Sequence, residues 1–163
     1  MVKLATPEQT QEKKATRAAF GVTLAELAAS GKKVVAVDAD LTGSTTTKKF
    51  AEACPENAKR LFNVGIAEQN MIDVAAGLSL TGNIAYTGSF AVFGTGRVYD
   101  QIRITVCYSN LNVKVAPTHA GISVGPDGGS HQMLEDISLM RGLPNMRDRF
   151  RKQRTNPYRQ CFP

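Results

Sequence analysis

The feature that most constrains this chain is an alternation of short β-branched runs, which end in polar residues, with segments that carry apolar residues at helical spacing. "KVVAVDAD" (33–40) is the clearest run, and its unbroken apolar stretch followed by acids is the pattern of a strand buried on both faces. "RLFNVG" (60–65), "NIAYTG" (83–88) and "NVKVAPT" (112–118) read as further strands. Phe20, Leu24, Leu27 and Ala28 share one helical face within residues 8–30 and stop at Gly31. Ala67, Met71, Val74, Ala75 and Leu78 do the same over 67–81, ending at Gly82. "LTGSTTT" after the first strand predicts a loop and a helix start, and helices are expected over about 91–107 and 132–141. The alternation predicts an α/β domain: an open, mostly parallel sheet with helices on both faces, in three α/β/α layers.

The 163 residues fit one domain with its own core. No apolar run approaches the ~18 residues that span a bilayer, and the polar N-terminus, "MVKLATPEQTQEKKATR", builds no signal-peptide core. A cytoplasmic location without membrane contact is the expectation. Cys54, Cys107 and Cys161 are far apart and lack C-x-x-C spacing, so neither a disulfide framework nor a zinc site is indicated. The net charge of +6 is local: residues 147–163 hold six basic residues and one acid, which leaves +1 for residues 1–146. A basic groove for nucleic acid is therefore not expected in the body of the protein. Residues 147–163 read as a solvated, disordered or aberrant basic tail, with an RNA-binding arm as the alternative.

In an open parallel sheet, ligands bind outside the carboxyl ends of the strands. Polar or aromatic residues follow all four predicted strands there: Asp38 and Asp40, then Glu68, then Ser89 and Phe90, then Thr118 and His119. Any one of them could as well cap a helix or sit in a surface loop. Four strand ends together argue for a site.

Five motifs in order, "VDADLTGST", "FNVGIAEQNM", "SFAVFGTGR", "APTHAGISVGPDGGSHQ" and "MRGLPNM", resemble the pyrimidine-binding domain of transketolase, and most of all the separate C-terminal subunit of split transketolases. They cover about residues 15–146 and imply a domain over 1–146, incomplete at its C-terminal end. The resemblance implies thiamine diphosphate as cofactor. Glu68 would touch N1' of the aminopyrimidine and stabilise the tautomer whose imino group takes the thiazolium C2 proton. An apolar shell around Glu68 is expected to favour a protonated or proton-sharing carboxyl. A first-turn glutamate favoured by the helix dipole is the simpler alternative. Phe90 and Phe93 match the aromatic pocket of the aminopyrimidine, although aromatics at that spacing also serve as helix core. A further aromatic of the family motif is replaced here by Gly94 or Gly96. Asp40 and Leu41 resemble the segment lining the thiazolium side.

Substrate recognition carries over in the same way. Arg17, Ser44 and His119 match positions that hold a sugar phosphate, all three being hydrogen-bond donors to phosphate oxygens. Asp127 and His131 match residues that bind sugar hydroxyls near the reacting carbons, and His131 joins Glu68 as a catalytic candidate. Pro126, Gly129 and Ser130 depart from the family pattern in that loop.

The family builds its diphosphate and metal site from a Gly-Asp-Gly and a downstream Asn, and this sequence has no Gly-Asp-Gly. No metal ligands are expected in this chain. A partner, the N-terminal diphosphate-binding subunit, would hold magnesium or calcium, and pyrimidine domains would also pair with each other. After "LPNM" the family continues with an apolar strand and a Pro-Ala-Asp turn, whereas "RDRFRKQRTNPYRQCFP" follows here, as in a truncated or out-of-frame ending that exposes a sheet edge. The implied activity is transfer of a two-carbon ketol unit from a ketose phosphate to an aldose phosphate, within the pentose phosphate pathway. The alternatives are a 1-deoxyxylulose 5-phosphate synthase-like module and a non-catalytic fragment.

Overall fold

The computed structural model describes residues 15–147. The N-terminal end of the first expected helix, Cys161 and nearly all of the basic tail lie outside the described residues. Helix α1 (Ala18–Ala29) leads into strand β1 (Val34–Asp38), and three short helices, α2 (Thr42–Thr45), α3 (Thr47–Glu52) and α4 (Pro55–Ala58), connect it to β2 (Leu61–Asn63). Helix α5 (Glu68–Leu80) crosses to β3 (Ile84–Gly88). A largely π-helical segment with α6 (Tyr99–Gln101) at its middle then reaches β4 (Val113–Val115), and α7 (Asp136–Arg141) follows a long loop.

The strands pair in the order β2-β1-β3-β4, all parallel. The alternation in β1 decides which helix goes to which face. Val34 and Ala36, with Tyr86 of β3, pack on Phe20 and Leu24 of α1 and Phe50 of α3. Val35 and Val37, with Ala85, pack on Met71, Ile72, Ala75 and Ala76 of α5 and on Ile102, Val106 and Met140. All five residues of β1 are buried, as a central parallel strand covered on both sides requires. The expected three-layer α/β/α architecture is thus observed. Because the chain passes from β1 to β2 on one side and then crosses through α5 to β3 on the other, the carboxyl ends of β1 and β3 mark the switch point of the sheet, where such folds place a binding crevice.

Two helices differ from expectation. The stretch expected as one helix over 91–107 is widened into π-helical turns at Val92–Gly96 and Ile102–Tyr108. Gly94 and Gly96 weaken α-helical preference there, and the Thr95 hydroxyl donates to the Ala91 carbonyl at 2.6 Å, a side-chain bond within the helical turn. The helix expected from 132 begins instead at Asp136. Gly121 and Met133 exchange backbone hydrogen bonds of 2.7 and 3.1 Å, which holds residue 133 extended and closes the loop between them.

One contact fixes α1 over the sheet end. The amide of Gly21 donates to Thr46 Oγ1 at 3.2 Å, and a Cβ on Gly21 would stand 1.9 Å from the Thr46 carbonyl oxygen. Only glycine permits that approach. Gly21→Ala is expected to lower stability by roughly 1–3 kcal/mol, the usual cost of overpacking, read as a lower urea midpoint with unchanged slope.

Candidate functional site

Three loops converge on the crevice, and each is built locally. The loop after β1 is organised by Asp38, which is fully buried. Its Oδ2 accepts hydrogen bonds from Thr45 Oγ1 (2.7 Å) and Thr47 Oγ1 (2.8 Å), and its Oδ1 accepts one from the Leu41 amide (2.6 Å). Desolvation pushes the Asp38 carboxyl above its ordinary range, and these three donors oppose the shift. Thr46 then takes a left-handed conformation at φ 68° and donates through Oγ1 to the Arg17 carbonyl at 2.6 Å. A β-branched residue in that region is strained, and such strain gathers where the surroundings hold a functional geometry.

The loops after β3 and β4 are joined by backbone. The Ala91 amide donates to the Thr118 carbonyl (2.7 Å) and the Thr118 amide to the Ser89 carbonyl (2.9 Å), which sets Phe90 beside Thr118. His119 follows in a left-handed conformation at φ 59°. Its ring lies 4.1 Å from that of Phe90, centroid to centroid. Arg17 Nη1 stands 2.9 Å from His119 Nε2. A guanidinium only donates, so this nitrogen is the unprotonated acceptor and the ring proton sits on Nδ1, 2.7 Å from Thr118 Oγ1. Desolvation, then the Arg17 charge, lower the His119 pKa below its ordinary 6.5, with Asp127 opposing.

Arg17, Ser44, Phe90, His119 and Asp127 line one open cavity of about 610 Å³. The structure thus brings together four of the five residues expected to hold substrate. The fifth, His131, stands beside it on the aromatic wall, edge-on to Phe93 at 5.2 Å and to Phe90 at 6.2 Å. Its Nδ1 is 2.9 Å from Ser130 Oγ. Phe90 and Phe93 lie nearly parallel, 14° apart with centroids at 6.4 Å. A Cβ on Gly94 would meet Pro117 at 3.3 Å, so a larger side chain is crowded out there. Asp40 and Leu41 do not line the cavity: Asp40, at φ 64°, exchanges hydrogen bonds with the Asn63 side chain across the ends of β1 and β2.

Glu68 opens α5 and is 4% exposed. The apolar shell expected around it is interrupted by Arg97, whose Nη1 is 3.1 Å from both carboxylate oxygens. The same guanidinium lies 4.4 Å from the centre of the Phe93 ring. Arg97 closes the motif "SFAVFGTGR", where nothing in the sequence beyond its place four residues after Phe93 marks it for a role. Its pairing with a carboxylate 29 positions away is a product of the fold. Among the described residues, no group of three or more His, Cys, Asp or Glu is placed to hold a metal ion. Cys54 and Cys107 are free.

Fold and site together define a doubly wound α/β domain that presents a buried carboxylate, two parallel phenyl rings and a cavity lined by Arg17, His119 and Asp127 at the carboxyl end of its sheet. Residues 12–148 match the family model described as transketolase, pyrimidine binding domain, and the chain belongs to that family. It is 53% identical over 133 residues to a protein of Methanocaldococcus jannaschii whose name describes a transketolase C-terminal section, covering 82% of this chain and 41% of that protein. A solved structure described as a split gene transketolase, inactive beta4 tetramer, superposes with a TM-score of 0.68 at 51% identity, covering 82% of this chain and 42% of that one. A 1-deoxy-D-xylulose-5-phosphate synthase of Caldanaerobacter subterraneus is 44% identical over 129 residues, 78% of this chain and 20% of that enzyme. The chain therefore spans about two-fifths of the length of the first two relatives.

The His119 geometry has a measurable consequence. Its folded pKa is depressed, so its contribution to stability is present above 6.5 and is lost as pH falls through the folded value. Titration followed by NMR is expected to place the His119 midpoint below 6.5, and Arg17→Gln to move it upward. A midpoint unchanged by that substitution would contradict the assigned contact.

Proposed function

We propose that this chain is the pyrimidine-domain part of a thiamine diphosphate-dependent transketolase, moving a two-carbon ketol unit from a ketose phosphate to an aldose phosphate. Its setting, on this reading, is cytoplasmic carbohydrate metabolism of the pentose phosphate type. The observation that carries the proposal is the buried Glu68 carboxylate joined through Arg97 to Phe93, whose ring lies nearly parallel to that of Phe90. That set fits a flat aminopyrimidine: a carboxylate for a ring nitrogen, and aromatic faces for the ring. When bound, the cofactor supplies a stabilised carbanion equivalent that carries the ketol unit.

The residues of the chain would divide the remaining work. Glu68 holds or shares a proton at N1', and Phe90 and Phe93 hold the ring. Asp40 and Leu41, anchored through Asn63 and Asp38, flank the thiazolium side. Arg17, Ser44 and His119 bind the sugar phosphate, and Asp127 with His131 binds hydroxyls near the reacting carbons, His131 close enough to the rings to act in catalysis. As the neutral acceptor of Arg17, with its ring proton turned to Thr118, His119 would act by orienting the Arg17 guanidinium, whose remaining N–H groups donate to the phosphate. The diphosphate and a magnesium or calcium ion fall to a partner subunit, the sequence having no Gly-Asp-Gly, and self-association of pyrimidine domains completes the assembly.

The test mixes the chain with the diphosphate-binding subunit, thiamine diphosphate and magnesium, and follows ketol transfer from xylulose 5-phosphate to ribose 5-phosphate. Glu68→Gln is expected to lower the rate by about 100- to 10,000-fold, the range of a lost proton-transfer group. Likeness to a 1-deoxy-D-xylulose-5-phosphate synthase calls for a second assay with pyruvate and glyceraldehyde 3-phosphate. Activity there alone would replace the transketolase reading, and inactivity of the folded chain in both would favour a non-catalytic fragment.

A further inference from the structure

The pairing of Arg97 does not follow from any role given above. Its guanidinium makes two contacts at once: a charged hydrogen bond to both oxygens of Glu68 at 3.1 Å and a cation–π contact at 4.4 Å from the centre of Phe93. These are the same two partners, the carboxylate and an aromatic face, that the aminopyrimidine reading requires. The chemistry matches as well. A guanidinium is a planar N–C–N system that is cationic and donates N–H, and an aminopyrimidine protonated at N1' has the same three properties.

The neighbours give Arg97 room to leave. Its side chain is 48% exposed while that of Glu68 is 5% exposed, so the carboxylate is fixed by burial and the guanidinium approaches from the solvent side. The backbone is held separately: the Arg97 amide donates to the Val92 carbonyl at 3.4 Å, and its own carbonyl accepts from Gln69 Nε2 at 3.4 Å. The side chain can therefore change rotamer with its backbone in place.

We propose that Arg97 is a resident placeholder, whose guanidinium occupies the Glu68 and Phe93 contacts until an aminopyrimidine displaces it. The proposal rests on the aminopyrimidine reading of Glu68 and deepens it: cofactor entry is an exchange of one flat cation for another. The buried carboxylate is never left without a donor, which avoids the cost of an unpaired buried charge. The exchange lowers apparent affinity by the free energy of the contacts given up.

The test needs neither partner nor diphosphate. The probe is 4-amino-5-hydroxymethyl-2-methylpyrimidine, titrated into the chain at millimolar concentration and followed by NMR shifts of the Phe93 ring and the Glu68 side chain. Arg97→Ala is expected to tighten binding roughly three- to tenfold, the scale of a half-exposed ion pair and a cation–π contact removed together. Arg97→Lys keeps the charge without the planar stack and should fall between Arg97→Ala and the unaltered chain. Glu68→Gln should weaken binding in both the unaltered and the Arg97→Ala backgrounds. Unchanged or weaker binding in Arg97→Ala, with Glu68→Gln still weakening it, would overturn the placeholder and leave the aminopyrimidine reading standing. Absence of binding throughout, or binding indifferent to Glu68→Gln, would overturn both.

Discussion

The site depends on one buried carboxylate that touches no proposed ligand. Asp38 ends the central strand with no exposure, and a charge or acid placed there must be satisfied from within the protein. Its three donors come from the loop that follows it, so satisfying Asp38 curls residues 39–47 back over the strand end. That curl puts Thr46 under α1, where it binds the Arg17 carbonyl and the Gly21 amide. Arg17 in turn reaches His119 on the far side of the crevice. A cavity wall spanning α1, the β1 loop and the β4 loop thus traces to hydrogen bonds made by a single aspartate, whose raised pKa reflects desolvation that outweighs them.

Much of the fold was legible because parallel strands buried on both faces carry an unambiguous pattern. "KVVAV" could hardly be anything but a central strand, and the stripe from Met71 to Leu78 could only be a covered helix. Of the strand-end residues expected to converge, Phe90, Thr118 and His119 meet at the cavity, whereas Asp40 turns to Asn63 and Glu68 to Arg97. Asp38 was noticed as a strand-end acid, but its donors arise from a left-handed Thr46 that no periodicity foretells. The Glu68–Arg97 pair was illegible for a related reason: it joins two elements far apart in the chain. Composition would have permitted an apolar shell around Glu68, and packing placed a guanidinium there.

The π-helical turn at Val92–Gly96 is the least predictable element and one of the most consequential. A regular α-helix advances about 100° per residue, so residues 93 and 97 would overlap on one face at the usual spacing. The widened turn, closed by the Arg97 amide on the Val92 carbonyl, changes that relation while keeping Arg97 over the Phe93 ring. Such turns recur at functional sites because the inserted residue re-aims side chains without breaking the helix. Gly94 and Gly96 make it cheap here, and a Cβ on Gly94 would meet Pro117 at 3.3 Å whereas one on Gly96 would find ordinary contact with Met133 at 3.6 Å. Local propensity and tertiary packing agree on the departure, which is why it reads as a feature of the site.

The long loop after β4 couples the two halves of the crevice. It begins at His119 on the cavity, passes Asp127 on the cavity rim, and returns at His131 against both phenyl rings. Its ends are tied by the Gly121–Met133 bridge, and Met133 is 1% exposed, so the loop is anchored by a buried side chain as well as by backbone. Asp127 and His131 stand four residues apart on this closed loop, one lining the cavity and one against the aromatic wall. A molecule spanning cavity and wall would meet both. The separation between cavity and wall is thus set by a loop closed on itself through the Gly121–Met133 backbone hydrogen bonds.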